Sequence, residues 1–200
     1  MIARNVAKYQ PAKLAALESH FETQRGAPLH VGGWPDVDRR ETRWAIRIPR
    51  GLSLLAFHDP DAEVTGLDAI PRDEWPPVAI VHVAFQIMVA LGTIMALVSV
   101  WALVRWWRAR SSDGMVGDRW LLRALALVTP MGFIAIEAGW TVTEVGRQPW
   151  IVYGILRTAD VVTPMPGLVV PFLVFTLLYV LLGVIVVYLL RQQIVRAPTE

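Results

Sequence analysis

The sequence predicts an all-α integral membrane protein, with three transmembrane helices preceded by an extramembrane segment. Three observations carry this. Apolar residues make up 54% of the 200-residue chain and charged residues only 18%, against an apolar share of roughly 45–50% in soluble domains. Those apolar residues are concentrated in three long runs. Several of the nine tryptophans, namely Trp106, Trp107, Trp120 and Trp150, stand at the ends of the runs, where amphipathic rings settle at a bilayer surface.

Residues 1–76 form the extramembrane segment, with ten Lys/Arg and eleven Asp/Glu punctuated by proline and glycine. The stretch QPAKLAALESHFET predicts one short helix. Pro11 suits a first helical position because its missing N–H would be unpaired there anyway, and Leu14, Leu17 and Phe21 fall on one face. The remainder is expected to be irregular, although WAIRIPRGLSLLAF is compatible with a short strand or an amphipathic piece. MIARNVAKYQ lacks the apolar core of a signal peptide.

Residues 77–200 hold the spans, at about 78–104, 120–143 and 168–190. The first and third contain no Asp, Glu, Lys or Arg. The second carries only Arg123 near its start and Glu137 inside. Each reaches the roughly 20 residues needed to cross a hydrocarbon core of about 30 Å. Lipid-exposed backbone must satisfy its own hydrogen bonds, so each run is a helix. Arg105, Arg108, Arg110, Arg119 and Arg123 flank the first connection, and Arg191 and Arg196 follow the third span. By the positive-inside rule these sides are cytoplasmic, and residues 1–76 and 144–167 face outward.

Composition excludes several function classes. Without cysteine, neither a disulfide framework nor a thiolate metal site exists. A net charge of +2 offers no concentrated basic face, so nucleic acid is not an expected partner. His20, His30 and His58 are scattered through the polar segment with no zinc-binding spacing. His82, near the outer end of the first span, is compatible with a ligand, a proton carrier or a hydrogen-bonded interfacial histidine.

Ionisable side chains inside a span are costly and point to function. Glu137 and Glu144 lie seven residues apart, on nearly one helical face, with Trp140 between them and Arg147 beyond. Two readings of TEVGRQPW stand: a surface ion pair between Glu144 and Arg147, or a cofactor pocket with a carboxylate ligand and a compensating cation. Met88 is read either as packing or as a thioether ligand to haem iron. Lys13 and Glu18 are five apart, about 140° around a helix, and as a pair they suggest no more than a solvated surface.

QPAKLAALE, then FQIMVALG, then EAGWTVTEVGRQPW, in that order, resembles subunit I of the cytochrome bd-type quinol oxidases. FQIM is similar to the cyanide-insensitive branch. The resemblance covers essentially all 200 residues but only the C-terminal half of that subunit. It implies that residues 1–76 are the periplasmic quinol loop and that the spans bind haem. Met88 would be an axial ligand of the low-spin haem b and Glu144 the ligand of the high-spin haem b, making these two the metal-binding residues. Trp140 would lie close to the haems and Arg147 would compensate charge. Lys13 and Glu18 would serve quinol oxidation, one polarising the quinol oxygen and the other accepting its proton. Electrons would pass from quinol through the b haems to haem d, where oxygen becomes water. Where some members carry arginine, Gln86 supplies no positive charge, which implies a lower potential for the low-spin haem.

The implied partners are the N-terminal half of subunit I, a second oxidase subunit, membrane lipid and quinol. That N-terminal half would bring the histidine ligands, which none of the four histidines here matches. The implied setting is the bacterial cytoplasmic (inner) membrane, with the C-terminus cytoplasmic. The alternative is a non-enzymatic three-span remnant or partner-packing protein.

Overall fold

A computed structural model describes residues 2–109, 118–162 and 166–196. Arg110 lies outside the described residues, as does the side chain of Arg196. The chain divides into two units, Met1–Asp160 and Val161–Glu200.

In the first unit, α1 (Ile2–Tyr9) and α2 (Pro11–Leu17) are separated by Gln10, whose extended φ of −143° breaks the helix. Pro11 takes the first position of α2, as its sequence suggests. The helix expected over residues 10–23 stops six residues early. Ser19 turns into the left-handed region at φ +44°. His20 N–H then donates to the Ala15 carbonyl at 2.7 Å, and Ser19 N–H to Ala16 at 3.2 Å. This is a Schellman motif, which satisfies the last carbonyls of the helix. Phe21 therefore lies beyond the helix, yet it is buried with Leu17 all the same.

The segment expected to be irregular is built of short paired strands. Gln24–Arg25 (β1) pairs with Glu63–Val64 (β6), Leu29–Val31 (β2) with Ile46–Ile48 (β5), and Trp34–Asp36 (β3) with Glu41–Arg43 (β4), all antiparallel. WAIRIPRGLSLLAF holds both candidate pieces, β5 and the helix α3 (Gly51–Phe57). Leu14, Ala27, Leu52, Ala56 and Val64 form a small core beneath these pairs.

Gly33 makes the tight approach between β3 and β4 possible. Its φ is +98°, and a Cβ there would lie 2.8 Å from the Ala45 Cβ and 2.9 Å from the Arg43 carbonyl oxygen. Gly33→Ala is expected to destabilise this segment by about 1–3 kcal/mol. Limited proteolysis in membranes would show it as faster cleavage between residues 24 and 64. Unchanged cleavage would mean that the strands move apart freely.

Two long helices complete this unit, α4 (Val78–Ala109) and α5 (Arg119–Val145). They begin within one residue of the expected spans and run two to five residues further, because their arginine-bearing ends remain helical. At 1.5 Å per residue both are about 40 Å or longer. Asp118 caps α5, accepting from Trp120 and Leu121 N–H at 3.1 and 3.2 Å. It also pairs with Arg105 at 3.1 Å. Hydroxyls within the spans bond back to their own helix, as Thr93 does to Val89 and Thr141 to Glu137, so they add no unsatisfied group to the membrane interior.

The two helices run antiparallel along a seam of methionine on glycine. A Cβ at Gly139 would lie 3.1 Å from Met88 Sδ, and one at Gly132 3.5 Å from Met95 Cε. Small residues let helix backbones approach closely where lipid gives no hydrophobic drive. At the outer end, Ala15, Ala16 and Leu17 of α2 pack with Val78, Val81 and Ala84 of α4 and Val142 of α5. The extramembrane segment is thus seated directly on the ends of two spans.

After α5, Trp150–Val152 (β7) and Leu156–Arg157 (β8) form a hairpin. Arg157 ties it back to Asp73 at 3.0 Å. The second unit contains α6 (Val169–Arg196), apolar all round from Val169 to Leu190. Among the described residues, three helices are therefore long and apolar enough to cross a membrane.

Candidate functional site

Lys13, on the second turn of α2, reaches the end of α5. Its Nζ donates to the Thr143 carbonyl at 3.4 Å. A Cβ at Gly146 would come within 3.3 Å of Lys13 Cε, so the glycine of GRQPW leaves room for the lysine stem. Burial holds the ammonium below the usual lysine range. Arg147 pushes the same way, while Glu144 opposes both. Lys13, Glu144 and Arg147 thus share one electrostatic neighbourhood. Lys13 and Arg147 line a narrow cleft with Glu74, Trp150 and Tyr153.

Glu18 follows α2 directly, as its C-cap. It is only 2% exposed, so the solvated-surface reading fails for it. The His30 backbone lowers its carboxyl's affinity for a proton, but burial outweighs this and pushes the group up to about 7. Among the described residues Oε2 has no hydrogen-bond partner. Glu18 does not line the Lys13 cleft, so the two residues are held separately.

On α5, Trp140 is 64% exposed, and the Glu144 side chain 54%. Both sit about 160° around the helix from Val142, which packs toward α4. Glu137 and Phe133 are exposed on the same broad face. Glu137 also lines an apolar groove of about 620 Å³ with Trp34, Ile80 and Ile87. Arg147 Nη2 lies 3.7 Å from Glu144 Oε1, so the expected ion pair forms. That distance exceeds the roughly 2.7–2.9 Å of a charge-assisted hydrogen bond.

The donor atoms of Met88 and Glu144 are of kinds that can hold haem iron. Met88 is half-buried at the α4–α5 seam. Its sulfur rests where any residue but glycine at 139 would crowd it. The unbranched side chain can swing that thioether toward iron. Glu144 presents a hard oxygen donor on the opposite side of α5, next to the exposed Trp140 ring.

Two residues matter here that sequence reasoning undervalued. Gln86 is engaged through both ends of its amide, with Gly32 N–H at 3.0 Å and the His30 carbonyl at 2.9 Å. His82 is fully buried, with Nδ1 2.7 Å from the Leu17 carbonyl oxygen and Nε2 3.3 Å from that of Gly32. Of the three readings of His82 the hydrogen-bonded histidine is the one found, whereas its sharing a face with Gln86 was not drawn from the sequence.

Comparison with known proteins places these features in a family. The family model for cytochrome bd terminal oxidase subunit I matches residues 1–198. A protein of Bacillus subtilis (strain 168), named as a cytochrome bd menaquinol oxidase subunit I, is 42% identical over 99% of this chain and 44% of its own length. The cytochrome bd ubiquinol oxidase subunit 1 of the same organism is 30% identical over 97% of this chain and 43% of its own. Among solved structures, the bd oxidase from Geobacillus thermodenitrificans matches with a TM-score of 0.79 at 38% identity, covering 98% of this chain and 44% of that one. The chain therefore spans less than half the length of these relatives. With its three membrane-spanning helices and with sequence and fold matching from end to end, the chain belongs to the cytochrome bd terminal oxidase subunit I family.

Proposed function

We propose that the chain works as part of subunit I of a bd-type terminal oxidase, in which electrons pass from quinol through b-type haems to haem d and reduce oxygen to water. The observation that best supports this reading is the placement of Lys13. The quinol-loop lysine lies against the end of α5, beside Glu144 and Arg147. Quinol-binding and haem-binding groups thus meet at one membrane surface.

When bound, the haems supply the one-electron steps and the oxygen chemistry. This chain's residues do the rest. Lys13 polarises or anchors a quinol oxygen. Glu18 takes a quinol proton as its carboxylate. Met88 would hold the low-spin haem b through sulfur, and Glu144 the high-spin haem b through oxygen. Trp140 would stand close to the haems, and Arg147 would offset negative charge there. The remaining ligands come from the rest of subunit I, and a second subunit completes the oxidase. The complex resides in the bacterial cytoplasmic membrane, with residues 1–76 periplasmic and the C-terminus cytoplasmic. The arginines at the far ends of α4 and α5 support that orientation.

A reduced-minus-oxidised spectrum of the assembled oxidase tests the ligand set. Met88→Leu keeps the volume and removes the sulfur, so the low-spin b band is expected to be lost or converted to high spin. A low-spin band of normal position and size would remove Met88 from the ligands.

A further inference from the structure

We infer that Gln86 and His82 form a clasp through which α4, the helix carrying Met88, positions Glu18, making Gln86 a positioning residue for quinol oxidation. The inference rests on the proposed role of Glu18 in taking the quinol proton.

The two clasp residues stand four apart on the first turns of α4, so they share a face. His82 grips the end of α2 through the Leu17 carbonyl, one residue before Glu18. Gln86 grips the β2 end through Gly32 N–H and the His30 carbonyl. His30 in turn holds Glu18. Its ring Nδ1 lies 2.9 Å from the Glu18 carbonyl oxygen, and its backbone runs close enough to the Glu18 carboxyl to lower its affinity for a proton. The chain of contacts therefore runs from Gln86 to His30 to the Glu18 main chain without a gap.

The side-chain type matters. An amide donates and accepts at once, whereas arginine only donates and an ionised carboxylate only accepts. Arginine at position 86 would leave the Gly32 N–H unmatched, and glutamate would set a carboxylate against the His30 carbonyl. Glutamine meets both backbone groups. Its loss frees the strand that orients Glu18 while leaving Met88, two residues on, untouched.

The test uses the assembled oxidase in membranes, with a soluble menaquinol analogue as substrate. Gln86→Ala is expected to speed hydrogen exchange over residues 29–36 about tenfold or more, and to raise the quinol KM about tenfold. Haem content is expected to stay constant, as is turnover with a phenylenediamine donor that bypasses quinol. If Gln86→Ala fails to assemble, Gln86→Glu keeps the size but turns the donor to the His30 carbonyl into a charged acceptor, and the same shifts are expected. Unchanged exchange, or an unchanged quinol KM, overturns the inference. Glu18→Gln is measured in parallel. If Glu18→Gln impairs quinol turnover and the Gln86 variants do not, the clasp fails and the role of Glu18 stands. If Glu18→Gln is silent, the role of Glu18 fails and takes the positioning claim with it.

Discussion

Glu144→Ala in the assembled oxidase is expected to abolish the high-spin b signal and to lower oxygen consumption about a hundredfold or more. Arg147→Ala separates the two readings of this corner. If Glu144 serves only its ion pair, the two variants behave alike, and both are mild, because an exposed pair contributes about 0–1 kcal/mol. The pair spans 3.7 Å with both partners substantially exposed, which places it at the weak end. If Glu144 is the iron ligand, Arg147→Ala retains the band with a shifted potential while Glu144→Ala loses it. A high-spin band retained at full size in Glu144→Ala would end the assignment.

The second large effect concerns Glu18. Burial raises its carboxyl from the ordinary value of 4.5 to about 7. Below that point it already holds a proton and cannot accept one from quinol. Quinol oxidation is therefore expected to rise with pH through about 7 and then level. Glu18→Gln should remove that limb and slow oxidation about a hundredfold. A pH–rate profile of the variant that keeps the limb would exclude Glu18 as its source.

Stability runs the other way. Between pH 4.5 and about 7 the folded chain binds more protons at Glu18 than the unfolded chain does, so stability falls as pH rises. The shift corresponds to about 3 kcal/mol, fully lost above pH 7 and not yet lost below 4.5. Glu18→Gln is thus expected to resist alkaline loosening of the extramembrane segment better than the wild type while oxidising quinol far more slowly.

What the sequence made legible follows from the scale of each signal. The helices α4, α5 and α6 were readable because an apolar run of twenty or more residues needs either lipid or a large core around it, and 200 residues with three such runs cannot build that core. Of the strands β1 to β6 only β5 was offered, and only as one candidate, since two or three residues cannot show an alternation. The end of α2 was misjudged because Leu14, Leu17 and Phe21 keep helical spacing in the sequence, while the left-handed turn at Ser19 has no glycine to announce it. At the site, the stripe Glu137, Trp140, Glu144 follows from helical period alone. The approach of Lys13 to Glu144 does not, because 131 positions separate them and only packing of α2 on α5 joins them. Gln86 illustrates the limit of reading by charge. In the sequence it registers as a missing cation, whereas in the fold its amide is the fastening between a span and the segment above it.

The methionine-on-glycine seam also acts as a vernier for Met88. Met88 and Met95 are seven apart, and so are Gly139 and Gly132, the notches they face. Both pairs match at one setting of α4 against α5. Sliding either helix by a single residue moves it about 1.5 Å and turns both side chains out of their notches together. The depth at which the Met88 thioether sits along α5 is thereby set by two absent side chains rather than by any bond.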